Sequence, residues 1–190
     1  SEPAARAIYG TTKTIPIVSV FSGDPISAGM ARSLAQPGGN ATGVSYYATE
    51  LTGKRLDLLK KAVPKLTTVD VLSNPDVSYF PFEEDTKRAG GLLGIAVRVH
   101  HVRGPTDIDN AFATMKVENA QAVFVLPDLM LSGEGKRIAT LALEQQLPSM
   151  TWGSWFANQG CLMAYSARYN ELQYRLGYYI DRILKGAKPG

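Results

Sequence analysis

The sequence predicts an α/β protein built on parallel sheets with helices on both faces. Two observations carry that expectation. Short β-branched runs alternate with amphipathic stretches of roughly 11 to 17 residues along the chain, the rhythm of strand, crossover helix and parallel strand. The run AVFVLP (122–127) is almost continuously apolar, as a strand is when both faces of its sheet are covered.

The elements follow in order. IPIVSVF (15–21) reads as the first strand, ISAGMARSLA (26–35) as a helix, and ATGVSYY (41–47) as a second extended piece. ELTGKRLDLLKKAV (50–63) is helical, with Leu51, Leu58, Leu59 and Ala62 on one face. TTVDVLSN (67–74) returns to strand. Pro81 stands where a first helical residue should, ahead of Glu83, Glu84 and Asp85, which suit the positive end of a helix dipole.

IAVRVHHV (95–102) is the next strand, and TDIDNAFATMKVE (106–118) a helix capped by Thr106, with Ile108, Ala111, Phe112 and Met115 at helical spacing. After AVFVLP, GEGKRIATLALEQQ (133–146) is a helix that Ser132 can cap. LPSMTW (147–152) and CLMAYS (161–166) are the last strands. YNELQYRLGYYIDRILKG (169–186) is a long helix with Leu172, Leu176, Tyr179, Ile180 and Ile183 on its apolar face, ending at Gly186.

Composition narrows the function classes. Apolar residues make up 45% and charged residues 19% of 190 positions, which supports a packed core and excludes a disordered chain. The net charge of +3 is scattered, with no basic run longer than two, so no nucleic-acid partner is expected. The single cysteine, Cys161, excludes an internal disulfide and a multi-cysteine metal site, and inside CLMAY it reads as a small buried hydrophobe. No stretch approaches the ~20 apolar residues of a membrane span. The chain opens at SEPAARAIYGTT, close to a strand and without Met, and reads as a fragment of something longer.

Ligands of parallel α/β sheets bind beyond the carboxyl ends of the strands. Four such ends are unusual: Ser22, Gly23, Asp24 and Pro25; Asn74, Pro75 and Asp76, then Tyr79 and Phe80; Pro127 and Asp128; and Trp152 to Phe156. Aromatic faces beside polar turns suit a small amphiphilic solute. Asp24-Pro25 and Asp128 are candidates for holding a positive group. Ser22, Ser132 and the amides opening the two neighbouring helices are candidates for a carboxylate. Asp-Pro and Asn-Pro pairs are also ordinary turn dipeptides, and Trp152 and Trp155 serve equally well as a cap on the core.

His100 and His101 are neighbours on a strand, so they point to opposite faces and cannot chelate one metal. No metal and no cofactor are expected. The chain has no Gly-x-Ser-x-Gly elbow, no phosphate loop, no Gly-x-Gly-x-x-Gly and no His-Glu-x-x-His. No nucleophile stands with its base, so the expectation is a binder and not an enzyme.

The segment TKTIPIVSVFSGDPISAGMARSLAQPGGNATGVS (12–45) resembles the substrate-binding proteins of a large bacterial ABC transporter group, some of whose members resemble tryptophan and tyrosine binders. The shared features are Thr-x-x-Ile-Pro-Ile-Val at 12–18, Gly-Asp-Pro at 23–25 and Pro-Gly-Gly-Asn-x-Thr-Gly at 37–43. The resemblance continues through ELTGKRLDLLKKAVPKLTTVDVLSNP, LPDLMLSGEGKRIATLALEQQLPSM and YYIDRILKGAKP. It implies a type I periplasmic-binding-protein-like fold of two lobes closing on a ligand, with the first lobe incomplete. Residues 1–46 would end lobe one, 47–165 form lobe two, and 166–190 hold a helix returning to lobe one.

Carried over by position, the implied cleft residues are Ser22, Asp24 and Pro25, and then Asn74, Asp128 and the Trp152–Trp155 loop, with Asp128 meeting the α-ammonium of an amino acid. Tyr79 and Ser132 complete the candidate set. The chain departs from the family at Cys161–Ser166, where Gly-Leu-Met-Ser-Tyr-Gly is common, and at Tyr79 and Phe80, which replace a more polar segment. The implied function is the solute-binding component of an ABC importer, periplasmic or exported and membrane-anchored, handing an amino acid (aromatic ones included) to a membrane permease. The alternative is a ligand-sensing domain of a regulator or receptor on the same fold. Unpaired strand edges in an incomplete lobe predict self-association of the fragment.

Overall fold

Period-two burial along Ile17–Phe21 and unbroken burial along Val123–Val125 mark two different sheets. The computed structural model describes residues 2–21, 23–45, 50–76 and 81–189. The chain divides into two units, Ser1–Ala48 with Ala167–Gly190, and Thr49–Ser166.

The first unit opens with helix α1 (Glu2–Thr11), a stretch for which the sequence reading had no helix. Its Ala5, with Tyr9 beside it, joins a small core with Ile17, Phe21, Met30 and Ala41. Strand β1 (Ile17–Phe21) pairs in parallel with β2 (Ala41–Ser45), from Ile17 opposite Ala41 to Phe21 opposite Ser45.

The connection between them is not the expected helix over 26–35. One turn forms, with Ala28 N donating to Asp24 O and Met30 N to Pro25 O. It stops at Gly29, which takes the left-handed φ of 68°. Asn40 explains the Pro-Gly-Gly-Asn turn: its buried amide donates to Thr12 O (3.2 Å) and Ile15 O (2.8 Å), tying the turn to the entry of β1. Gly43 is required beside it, because a Cβ there would lie 1.8 Å from Ser19 O.

The second unit contains α2 (Glu50–Ala62), β3 (Thr68–Ser73), α3 (Phe82–Leu93), β4 (Ala96–His101), α4 (Pro105–Val117), β5 (Val123–Val125), α5 (Leu129–Gly133), α6 (Gly135–Glu144), β6 (Ser149–Thr151), α7 (Ser154–Gln159) and β7 (Met163–Ala164). Its strands form one parallel sheet in the order β4-β3-β5-β6-β7. Leu72, Val123 and Val125 face a core completed by Ile108, Phe112, Ile138 and Phe156. By alternation, Val69 and Val71 face the opposite side. Helices α2 and α3 pack on each other and on β6 and β4 respectively. Helices therefore cover both faces, as the unbroken apolar strand implied.

Helix boundaries differ locally from expectation. Pro81 is the residue before α3, not its first. Gly104 precedes Pro105 at the start of α4, so Thr106 lies inside the helix and caps nothing. The stretch expected to start at 133 breaks into α5 and α6, and Ser132 sits within α5, where Asp128 is the cap. Helices α4 and α6 close alike: Ala120 N returns to Met115 O and Leu147 N to Ala142 O, with Asn119 and Gln146 left-handed at φ 51° and 52°.

The chain returns to the first unit with α8 (Tyr169–Leu184), which packs on β1 and β2. Leu172 is buried as expected, but Ile180 is exposed, because two strands offer too little width to cover the whole apolar stripe. Among the described residues no helix is long and apolar enough to cross a membrane.

Candidate functional site

In a parallel sheet the carboxyl ends of adjacent strands open onto one edge. Strands β3, β5 and β6 are consecutive in the second unit's sheet. Asn74, Asp128 and Trp152, which follow them, therefore come together from positions 54 and 24 residues apart in the sequence.

The contact between the first two is direct: Asn74 Nδ2 donates to Asp128 Oδ2 at 3.3 Å. Asn74 Oδ1 accepts from Asp76 N at 3.0 Å, closing an Asx turn. Asp128 is extended, with φ −159° and ψ 146°, and its Oδ1 accepts Leu131 N at 2.8 Å, capping α5. Each oxygen of this half-buried carboxylate holds one neutral donor and keeps a further acceptor position.

Helix α5 also carries Ser132, whose backbone N donates to Asp128 O at 3.0 Å. Ser132 Oγ accepts Trp155 Nε1–H at 2.9 Å. The Trp155 ring lies edge-on to Trp152, centroids 4.8 Å apart at 89°, and stacks over buried Phe156 at 6.0 Å and 27°. Gly153 makes that arrangement sterically possible, since a Cβ would meet the Trp155 ring at 2.4 Å. Both indoles are half-buried and pack against the main core. Trp152 Nε1 differs from its neighbour: it is buried with no acceptor among the described residues.

In the first unit, Asp24 Oδ1 accepts Ile26 N (3.0 Å) and Oδ2 accepts Ser27 N (3.2 Å), so its carboxylate caps the turn that follows. Ser45 Oγ donates to Gly23 O at 2.7 Å, pinning the Gly-Asp-Pro corner to β2. Pro25 is buried and lines a cavity of about 370 Å³ with Phe21, Met30, Tyr178 and Tyr179. Ser22 and Tyr79 lie outside the described residues.

Two polar clusters were not anticipated. Asp70, fully buried in β3, receives Arg98 Nε (3.0 Å) and Nη2 (2.6 Å) and lies 2.7 Å from His100 Nε2. Burial alone would raise its carboxyl, but the hydrogen bonds from His100 and Arg98 outweigh burial and hold it below the ordinary carboxylate range. Arg98 also reaches Glu118 at 2.9 Å. On the opposite face Glu83 Oε1 accepts Ser73 Oγ–H (2.7 Å) and lies 3.0 Å from His101 Nε2. The two histidines thus point to opposite faces. The signal in the sequence was a charged residue at the centre of TTVDVLSN, in phase with Arg98 and His100 on VRVHHV. A carboxylate there must be paired.

Residues 1–190 match the profile of the family described as ABC transporter substrate binding protein. A tyrosine-binding protein of Clostridioides difficile (strain R20291) is 26% identical over 191 residues, which take in 100% of this chain and 54% of that protein. The chain therefore spans about half the length of that relative. Among solved structures, the ABC domain in complex with L-Trp from Streptococcus pneumonia superposes with a TM-score of 0.84 at 24% identity, over 98% of this chain and 63% of that one. A ligand-free, open substrate binding protein with adhesive properties from Clostridium difficile gives 0.72 at 26% identity, over 98% and 63%. The first of these likenesses shows the fold: parallel α/β, as in periplasmic binding proteins.

Proposed function

Because the chain belongs to the family of ABC transporter substrate binding proteins, we propose that it is the solute-binding component of an ABC importer and that its solute is an amino acid, aromatic ones favoured. The observation that carries this reading is one sheet edge on which the carboxylate that caps the short helix α5 stands with an indole hydrogen-bonded to the same helix. Asp128 offers open acceptor positions to an α-ammonium, a charge-assisted contact stronger than a neutral one. Trp152 and Trp155 offer indole surface to an aromatic side chain. The tyrosine-binding relative and the L-Trp complex of a structural neighbour support the same solute class.

We assign the first unit to part of one lobe and the second unit to the other. The partner is a membrane permease, and the site of action is the periplasm or the outer face of the cell membrane. No catalytic step is proposed.

The test is a thermal-shift screen of the full-length protein against the twenty amino acids, sugars and nucleobases. A ligand at ~100 times its dissociation constant adds about 2.7 kcal/mol. A shift confined to tyrosine, tryptophan and phenylalanine is the expected result. Shifts only with sugars or nucleobases overturn the amino-acid reading.

A further inference from the structure

We propose that Ser132 is a positioning residue: its hydroxyl holds the Trp155 indole, and with it the edge-on Trp152–Trp155 pair, in the orientation that meets an aromatic solute. The proposal rests on the reading of this edge as an amino-acid site.

Among the described residues, three contacts hold the Trp155 ring. Phe156 lies beneath it, Trp152 stands against it at 89°, and Ser132 Oγ takes its Nε1–H at 2.9 Å. The first two are apolar ring contacts. The hydrogen bond is directional and fixes one edge. Removing the hydroxyl would take away the acceptor that the Trp155 Nε1–H now has.

Ser132 is suited to this task because it is itself held. It lies in α5, its amide bonded to Asp128 O, and Asp128 caps the same helix through Leu131 N. A serine within a helix often turns its hydroxyl back to the preceding turn; here the hydroxyl is committed across to α7. Carboxylate and indole are therefore both bonded to one short helix. Any tilt of α5 moves both, which ties recognition of the ammonium to recognition of the ring.

A double-mutant cycle on the full-length protein separates positioning from contact. Dissociation constants for L-tyrosine and L-tryptophan are measured by calorimetry for the wild type, Ser132→Ala, Ser132→Thr, Trp155→Phe and the Ser132→Ala/Trp155→Phe pair. Ser132→Ala should weaken both amino acids about three- to tenfold. Ser132→Thr, which keeps the hydroxyl, should restore binding. In the Trp155→Phe background, where no Nε1–H exists, Ser132→Ala should have no further effect. Indole emission of the unliganded protein should shift in Ser132→Ala and stay unchanged in Ser132→Thr.

Equal losses from Ser132→Ala in both backgrounds, or no loss in either, overturn the positioning role. A wild type that binds neither amino acid overturns the solute reading and the role together. It is distinguished from failure of Ser132 alone, where the wild type binds and the cycle shows no coupling.

Discussion

Asn74 ties two strand ends together through its side-chain amide: Nδ2 donates to Asp128 Oδ2 and Oδ1 accepts Asp76 N. It therefore orients the carboxylate at the end of β5 from the end of β3, so two residues expected at one ligand edge touch each other. Asp128 is the more exposed to test. Asparagine caps helices about as well as aspartate, so Asp128→Asn should keep the α5 cap and lower the melting temperature only slightly, through the lost acceptor for Asn74 Nδ2. It should weaken amino-acid binding at least ~tenfold by removing the charge-assisted contact. Unchanged affinity by calorimetry would contradict the ammonium role.

The Asp70 cluster sets an acid limit on the second unit. A carboxyl held below its unfolded value stabilises the fold above the unfolded pKa of ~3.9, and that contribution disappears as pH falls through the lower folded value. The urea midpoint should therefore drop on acidification below about pH 4. Asp70→Asn should flatten that limb and cost ~2 kcal/mol or more at pH 7. This is less than for a fully enclosed pair, since the Arg98 side chain is 33% exposed and can rehydrate.

The matching ends of α4 and α6 predict a gain. Asn119 and Gln146 are exposed and left-handed, a conformation that costs an L-residue about 1 kcal/mol and glycine little. Gln146→Gly should raise stability by ~0.5–1 kcal/mol, and Asn119→Gly by less, because Asn tolerates this region better. Chemical denaturation of the two variants decides it. A loss at position 146 would mean that its side chain holds a contact the fold needs.

Cys161 reports on unfolding of the same unit. It is buried, and burial pushes its thiol up despite a hydrogen bond with Ser149. Since the thiolate is the reactive form, maleimide should label the native protein only as fast as the unit opens. The labelling midpoint in urea should coincide with that of tryptophan fluorescence, because both indoles pack against the core that contains Cys161. Rapid labelling of the native protein would show that the α7–β7 end opens on its own.

Much of this was legible in the chain. Strand–helix alternation and the apolar run at 122–127 were enough for a parallel sheet covered on both faces. Asp128 and the two tryptophans were placed at strand ends because Pro-Asp and Trp-Gly-Ser-Trp follow apolar runs. The helix expected over 26–35 was misread because its small residues have helical spacing. One left-handed glycine at position 29 ended it after a turn, and local pattern does not reveal which glycine will go left-handed.

Periodicity is a property of consecutive residues, so the sequence by itself determined the order of the strands, most of the helices between them and which residues follow strand ends. Partnership across strands depends on register and on which strands become neighbours, and these follow from packing of the whole sheet. Only the tertiary structure therefore decided that Asn74 meets Asp128, that Asp70 lies between Arg98 and His100, and that Ser132, expected to cap a helix, holds Trp155 instead.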